Sequence, residues 1–282
     1  MTSRRHTQRQ LKALRGRAST VHDELGPSAS DVYIQQCIEG YLATNVNTAT
    51  SINDLEEGEK YYLKQKLSEV ALSNVKDAIS APLSSLSPKM ETLIDFVAIE
   101  KPKDLTGLIF VQTRAEAAVI AYILSTHHLT RKFSTATFVG SSTYTSQKRG
   151  LYELADPKSQ HISLDNLRSG LTNLIVATDA LEEGIDVVSC NVVICFDTPR
   201  NMRSFVQRRG RARHPTSRYV LLLPEHKDER KLTEWREMEN IMSELFRDDT
   251  REVQPLDILD EPDDRRLRDV ESGSVAAVII SP

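Results

Sequence analysis

The sequence is poor in long apolar runs: its longest, such as Leu108 to Val111 and Val275 to Ile280, fall far short of the roughly 20 residues a membrane-spanning helix needs. No bilayer crossing and no membrane partner are expected. Cysteine is scarce too. Cys37, Cys190 and Cys195 form no Cys-x-x-Cys pair, which fits a reduced, intracellular setting, cytoplasmic or nuclear. No Gly-x-x-x-x-Gly-Lys-Ser/Thr loop occurs, so the chain has no phosphate cradle of that kind. Met1 to Arg17 contains Arg4, Arg5, Arg9, Lys12, Arg15 and Arg17 without an acid and without an apolar stretch behind it, so it reads as a solvated basic helix and not a secretory signal.

What is present is an ordinary globular composition, 39% hydrophobic and 27% charged over 282 residues, enough for one core and a smaller satellite. The formal net charge of −4 argues against wholesale wrapping of nucleic acid, but the charge is unevenly spread. Arg200 to Arg218 holds seven arginines and no acid, whereas from Glu225 to Glu271 acids outnumber bases 17 to 9. A phosphate site is therefore expected before Pro224.

Residues 1–87 have apolar positions at helical spacing, clearest in Leu63, Leu67, Val70, Ala71, Val75, Ala78 and Ile79, and are expected to form an all-helical unit. Ser-Leu-Ser-Pro-Lys then serves as linker and N-cap for a helix from Lys89 to Ile99. Residues 88–224 alternate short apolar runs with helical segments, the pattern of an α/β fold with a parallel sheet flanked by helices. Five strands are expected, Gly107 to Val111, Ser134 to Val139, Asn173 to Ala177, Val192 to Phe196 and Tyr219 to Leu223. Helices are expected near Ala115 to Ser125, Thr145 to Ala155, Leu164 to Arg168 and Arg203 to Arg209. Residues 225–250 read as an amphipathic helix with Trp235, Met238, Met242 and Leu245 on one face, and residues 251–282 as an acidic linker ending in a strand-like run.

Chemistry in such a sheet sits at the carboxyl ends of strands, where loops lead into helices. Gln112-Thr113-Arg114 closes the first strand with amide, hydroxyl and guanidinium donors suited to phosphate, a weak signal by itself. Gly140 after the second strand permits close backbone approach, although a plain turn explains it equally well. More specific is Thr178-Asp179-Ala180-Leu181-Glu182-Glu183-Gly184-Ile185-Asp186, with Thr178 placed for a nucleic-acid phosphate and Gly184 and Asp186 for a nucleotide ribose. Last comes Gln207-Arg208-Arg209-Gly210-Arg211-Ala212-Arg213, four arginines within six residues, whose planar forks suit terminal phosphate oxygens. Elsewhere such a cluster would be a solvated basic patch or a localisation signal. Here it follows Phe196-Asp197-x-Pro-Arg and precedes an apolar strand.

In this order the four segments resemble motifs IV, IVa, V and VI of superfamily 2 helicases, over Lys89 to Pro224. The Gln-x-Arg-Gly-Arg-x-Arg form resembles the branch of Dicer and the innate-immune double-stranded RNA sensors, and Val270 to Ala277 resembles the start of Dicer's dimerisation domain. The resemblance implies a second RecA-like lobe, preceded by a helical insertion in residues 1–87 and followed by a pincer-like helix in residues 225–250. It implies Arg211 and Arg213 as catalytic arginine fingers on ATP. Gln207 and Arg209 would support them, and Gly184 and Asp186 would contact the nucleotide. Gln112, Thr113, Arg114, Gly140 and Thr178 would track an RNA backbone by charge and A-form shape.

Departures from that family bound the expectation. The Asp-Glu-x-His motif is missing along with the phosphate loop, so Mg²⁺ and most of the ATP site would belong to a first RecA-like lobe supplied in cis or trans. The acidic clusters of ribonuclease III domains are missing as well, and the strand-like ending is what a piece of a longer protein would show. Two readings follow. Half of an ATP-dependent double-stranded RNA helicase would be an inactive ATPase alone, whereas a stand-alone RNA-binding or regulatory module would bind RNA without a first lobe, in a salt-sensitive way.

Overall fold

A computed structural model describes residues 2–43, 57–69, 85–140, 160–181, 190–212, 217–224 and 275–280, with Thr233, Glu234 and Glu237 in helical conformation. The elements run α1 (Thr2–Leu25), α2 (Pro27–Ala43), α3 (Glu57–Glu69), α4 (Pro88–Ala98), β1 (Gly107–Phe110), α5 (Arg114–Thr126), β2 (Thr135–Phe138), α6 (Gln160–Arg168), β3 (Leu174–Ala177), β4 (Val192–Cys195), α7 (Met202–Arg209), β5 (Arg218–Pro224) and β6 (Val275–Ile280). The strand order is β2-β3-β1-β4-β5-β6, with the first five parallel and β6 antiparallel to β5. This is the helix-flanked parallel sheet expected from the alternation, with all five expected strands in it. None of the described helices is long and apolar enough to cross a membrane.

Strands β1, β3 and β4 are buried at every position, which is why they read as unbroken apolar runs. Their side chains nevertheless alternate between two cores. Ile109, Val176 and Ile194 face one that also takes Leu93 of α4 and Ile120 of α5, while Leu108, Ile175 and Val193 face another closed by Leu164 of α6 and Phe205 of α7.

The first core extends outward into α1 and α2. Leu14, Ala18, Val21 and Leu25, on one stripe of α1, join Val32 and Tyr33 of α2 in the same apolar cluster as the sheet. The basic N-terminal segment is thus the start of a helix whose later turns are anchored. Its connection to α2 is tight: Gly26 adopts φ +99° and donates to the His22 carbonyl at 2.9 Å, and Pro27 opens α2. The Gly26 turn rests on the linker to α4, where Ser87 N–H donates to the Leu25 carbonyl at 2.9 Å and Ser87 Oγ donates to the Glu24 carbonyl at 2.7 Å. Ser87 is also the N-cap of α4, accepting the Met90 N–H at 3.2 Å, so one serine caps one helix and ties down another.

Of the stripe expected from Leu63 to Ile79, Leu63 is buried and Leu67 half-buried on α3, while positions 70–79 lie outside the described residues. The helix expected at Thr145 to Ala155 lies outside them too, as does most of that at 225–250. The terminal run Val275–Ile280 is a strand and lies along the β5 edge, pairing Val275 with Pro224 and Ile280 with Tyr219.

Candidate nucleic-acid and nucleotide interface

The strands end in step: Phe110 is level with both Ala177 and Cys195, and Phe138 with Ala177. The residues that follow them, Gln112 to Arg114, Gly140, Thr178 and Asp197, therefore line one rim of the sheet.

Along this rim the expected RNA-tracking residues are brought together. Thr113 is the N-cap of α5 and forms a capping box with Glu116: its hydroxyl accepts the Glu116 N–H at 3.2 Å, and its own N–H donates to Glu116 Oε2 at 2.9 Å. Arg114 reaches across two strand ends and donates from Nη2 to the Gly140 carbonyl at 2.7 Å. Gly140 has φ +26°, and a Cβ there would stand 2.7 Å from Ala180 Cβ, so this turn packs directly against the turn after β3. Thr178 is buried and donates its N–H to the Phe138 carbonyl at 3.1 Å. Gln112 is exposed, with its backbone N–H donating to Asp197 Oδ2 at 2.8 Å.

The bend that follows the arginine helix is set apart from the rim. Asn201 caps α7 by accepting the Ser204 N–H at 2.9 Å, and the helix then runs back along the sheet to Arg209. Beyond it, the Arg211 carbonyl accepts the Cys190 N–H at 3.4 Å and the Ala212 carbonyl accepts from Ser217 Oγ at 3.0 Å, so this bend lies at the amino ends of β4 and β5. Burial pushes the Cys190 thiol up to about 12, while the Arg211 guanidinium pulls the other way. From Cys190 to Asp197 the chain covers on the order of 20 Å at strand rise, so the rim and the bend are separate surfaces. Gln207 and Arg209 are half-buried on α7. Arg213, Gly184 and Asp186 lie outside the described residues.

Several residues not singled out from the sequence organise the site. Lys89 donates from Nζ to Asp197 Oδ1 at 2.8 Å and to Glu24 Oε2 at 3.1 Å, and its ammonium stands 4.3 Å from the Phe196 ring centroid. Burial works to lower the Lys89 pKa, but the Asp197 and Glu24 carboxylates outweigh it and hold the ammonium above its ordinary value. Arg208, 1% exposed, donates from Nη1 to the Asp197 carbonyl at 3.1 Å and lies over the Phe110 ring at 5.0 Å. A sequence signal existed for both. Lysine in the first turn of a helix opposes the helix dipole unless an acid faces it, and Arg208 sits three residues after buried Phe205, on the inward face of α7.

Glu116 is also buried, and its carboxyl is pushed up to about 7, first by burial and then by the Asp197 charge, against the hydrogen bonds from Thr113. Glu24 adds to the rise, while Lys89 bonds both of those acids. In the unfolded chain this group titrates near 4.5, so between about 4.5 and 7 the folded state holds the extra proton. Its effect is to lower stability as pH rises through that window, by on the order of 1–3 kcal/mol, and to leave it level above. Urea midpoints at pH 5, 6 and 7 should fall for the natural protein, and the fall should be shallower in Glu116→Gln, which retains an oxygen for the Thr113 N–H. Equal slopes would remove Glu116 as the cause.

Residues 88–215 match the helicase conserved C-terminal domain. The chain is similar to Dicer-like protein 2 of Neosartorya fischeri, 36% identical over 281 residues, which are 99% of this chain and 20% of that protein. It is similar also to Dicer-like protein 2-1 of Aspergillus niger, 37% identical over 272 residues, 96% of this chain and 20% of that one. It spans about a fifth of the length of these curated relatives. Among solved structures it is similar to the Pyrococcus furiosus Hef helicase domain, with a TM-score of 0.43 and 22% identity over 77% of this chain and 40% of that one. Residues 88–215, on a helix-flanked parallel sheet, thus carry the match to the helicase conserved C-terminal domain, and the chain is similar over nearly its whole length to part of the fungal Dicer-like proteins.

Proposed function

We propose that residues 88–224 act as the second RecA-like lobe of an ATP-dependent double-stranded RNA helicase or translocase of the Dicer-like kind, a component of RNA silencing. Residues 1–87 serve as its helical insertion, residues 225–250 as a pincer-like helix, and residues 251–282 as an acidic linker and the start of a dimerisation-type domain. The rim of Gln112, Thr113, Arg114, Gly140 and Thr178 tracks the RNA backbone. The bend at Arg211 and Arg213, supported by Gln207 and Arg209 and with Gly184 and Asp186 toward the nucleotide, meets ATP held by a first lobe.

One observation carries the reading: the strand ends stand in register and Arg114 is bonded to the Gly140 carbonyl, so segments 26 residues apart form one donor-bearing ledge. Such a ledge suits a repeating line of phosphates, which is recognised by charge and spacing. The arginine bend suits phosphate for another reason. Seven arginines and no acid lie between Arg200 and Arg218, a set that fits terminal phosphate oxygens and offers no carboxylate to a metal, so Mg²⁺ falls to the first lobe. What this chain's own residues do is orient the phosphates and place positive charge where negative charge builds up as the terminal phosphoryl group leaves.

The test is RNA-stimulated ATP hydrolysis by the purified chain, alone and mixed with a first RecA-like lobe from a Dicer-like relative. Turnover is expected only in the mixture. No turnover despite demonstrated association of the lobes would overturn the helicase reading. Salt-dependent RNA binding by the chain in that case would favour the stand-alone module.

A further inference from the structure

Asp197 is 5% exposed, yet its oxygens meet three different parts of the molecule. Oδ1 accepts from Lys89, which also bonds Glu24 near the end of α1; Oδ2 accepts the Gln112 N–H, one residue before the cap of α5; and the main-chain oxygen accepts from Arg208 on the arginine helix. The helical hairpin packs in one core of the sheet and the arginine helix in the other, so apolar packing between them runs through the strands and transmits little direction. A buried carboxylate bonded on both oxygens does, because a shift of one donor changes the position the other donors must follow.

We propose that Asp197 is a positioning residue, with Lys89 as its link to Glu24, that couples the placement of the α1–α2 hairpin and of the Gln112–Arg114 rim to the setting of the arginine helix α7. The proposal rests on the functional reading only for what the two ends bind; the coupling itself is a property of this chain. Removing the ammonium leaves Asp197 with one donor fewer in a buried place, so its carboxylate turns toward water and loosens both the Gln112 N–H and the Arg208 contact. Removing the Glu24 charge, half-exposed at the far end, lets Lys89 and then Asp197 relax to a smaller degree.

Amide hydrogen exchange on the full chain tests this without any ligand, in a double-mutant cycle of Glu24→Gln and Lys89→Met, with Lys89→Arg as the conservative control. Glu24→Gln, at a position whose loss leaves the core intact, is expected to speed exchange at Gln112 and along α7 by about threefold, and Lys89→Met by about tenfold. In the Lys89→Met background Glu24→Gln should add nothing, and Lys89→Arg should stay within about twofold of the natural protein. A threefold effect of Glu24→Gln that persists without Lys89, or unchanged exchange in α7 on losing Lys89, overturns the relay. The same preparations, mixed with a first lobe, report the functional reading separately: no RNA-stimulated turnover in the natural protein sinks that reading while leaving the exchange cycle as it stands.

Discussion

Replacing Arg211 with alanine is expected to lower ATP turnover by the chain paired with a first RecA-like lobe by on the order of 10³-fold, leaving RNA affinity within a few-fold. A fixed guanidinium placed against a phosphoryl group acts most strongly when charge builds up on its oxygens, so the loss should fall on kcat more than on KM. Arg211→Lys should recover only part of it, since an ammonium keeps the charge but not the planar fork. RNA affinity serves as the internal control because Arg211 lies at the amino ends of β4 and β5, whereas the rim stands at the carboxyl ends. At 8% exposure the side chain also packs, so melting temperatures of both variants accompany the kinetics. Turnover within threefold of the natural protein in Arg211→Ala would take this arginine out of the mechanism.

The largest loss of stability is expected from Gly26→Ala. Gly26 holds φ +99°, outside the range an L side chain adopts without strain, and a Cβ would stand 2.6 Å from Ser87 N, 2.7 Å from Leu86 C and 2.8 Å from Ser85 O. All three neighbours are backbone, so no rotamer change relieves the clash. Strain and displacement together should cost about 3 kcal/mol, read as a lower urea midpoint. The turn would have to lift away from residues 85–87, weakening the bonds from Ser87 to Leu25 and Glu24. Faster exchange at the Ser87 amide should therefore accompany the loss. A variant as stable as the natural protein would mean that the hairpin is not seated on this linker.

The sheet was legible because its strands are buried on both faces and so appear as short apolar blocks separated by helical segments. The rim was legible for a related reason: polar residues and a glycine directly after a strand stand where a parallel sheet collects its loops. Within the arginine segment the pattern carries an expectation of phosphate binding but not which arginines turn inward. Arg208 turns inward onto Phe110 and Asp197, while Arg211 lies in the bend beyond the helix, and only the phase of α7 against the sheet separates them. Glu116 carries no burial signal in the sequence; the capping box and the packing around it take it out of water.

By itself, then, the sequence determined the five parallel strands and the order of the polar segments that follow them, since both follow from side-chain periodicity and from the residue types that end strands and begin helices. Tertiary structure alone decided that α1 and α2 share the core of the sheet, that β6 lies along β5, and that Glu24, Lys89 and Asp197, from positions more than 60 residues apart in two steps of 65 and 108, meet at one point. Contacts of that separation leave no periodic trace in the chain. They depend on where the strands' common register brings their ends, and on which helix faces remain for the hairpin to cover.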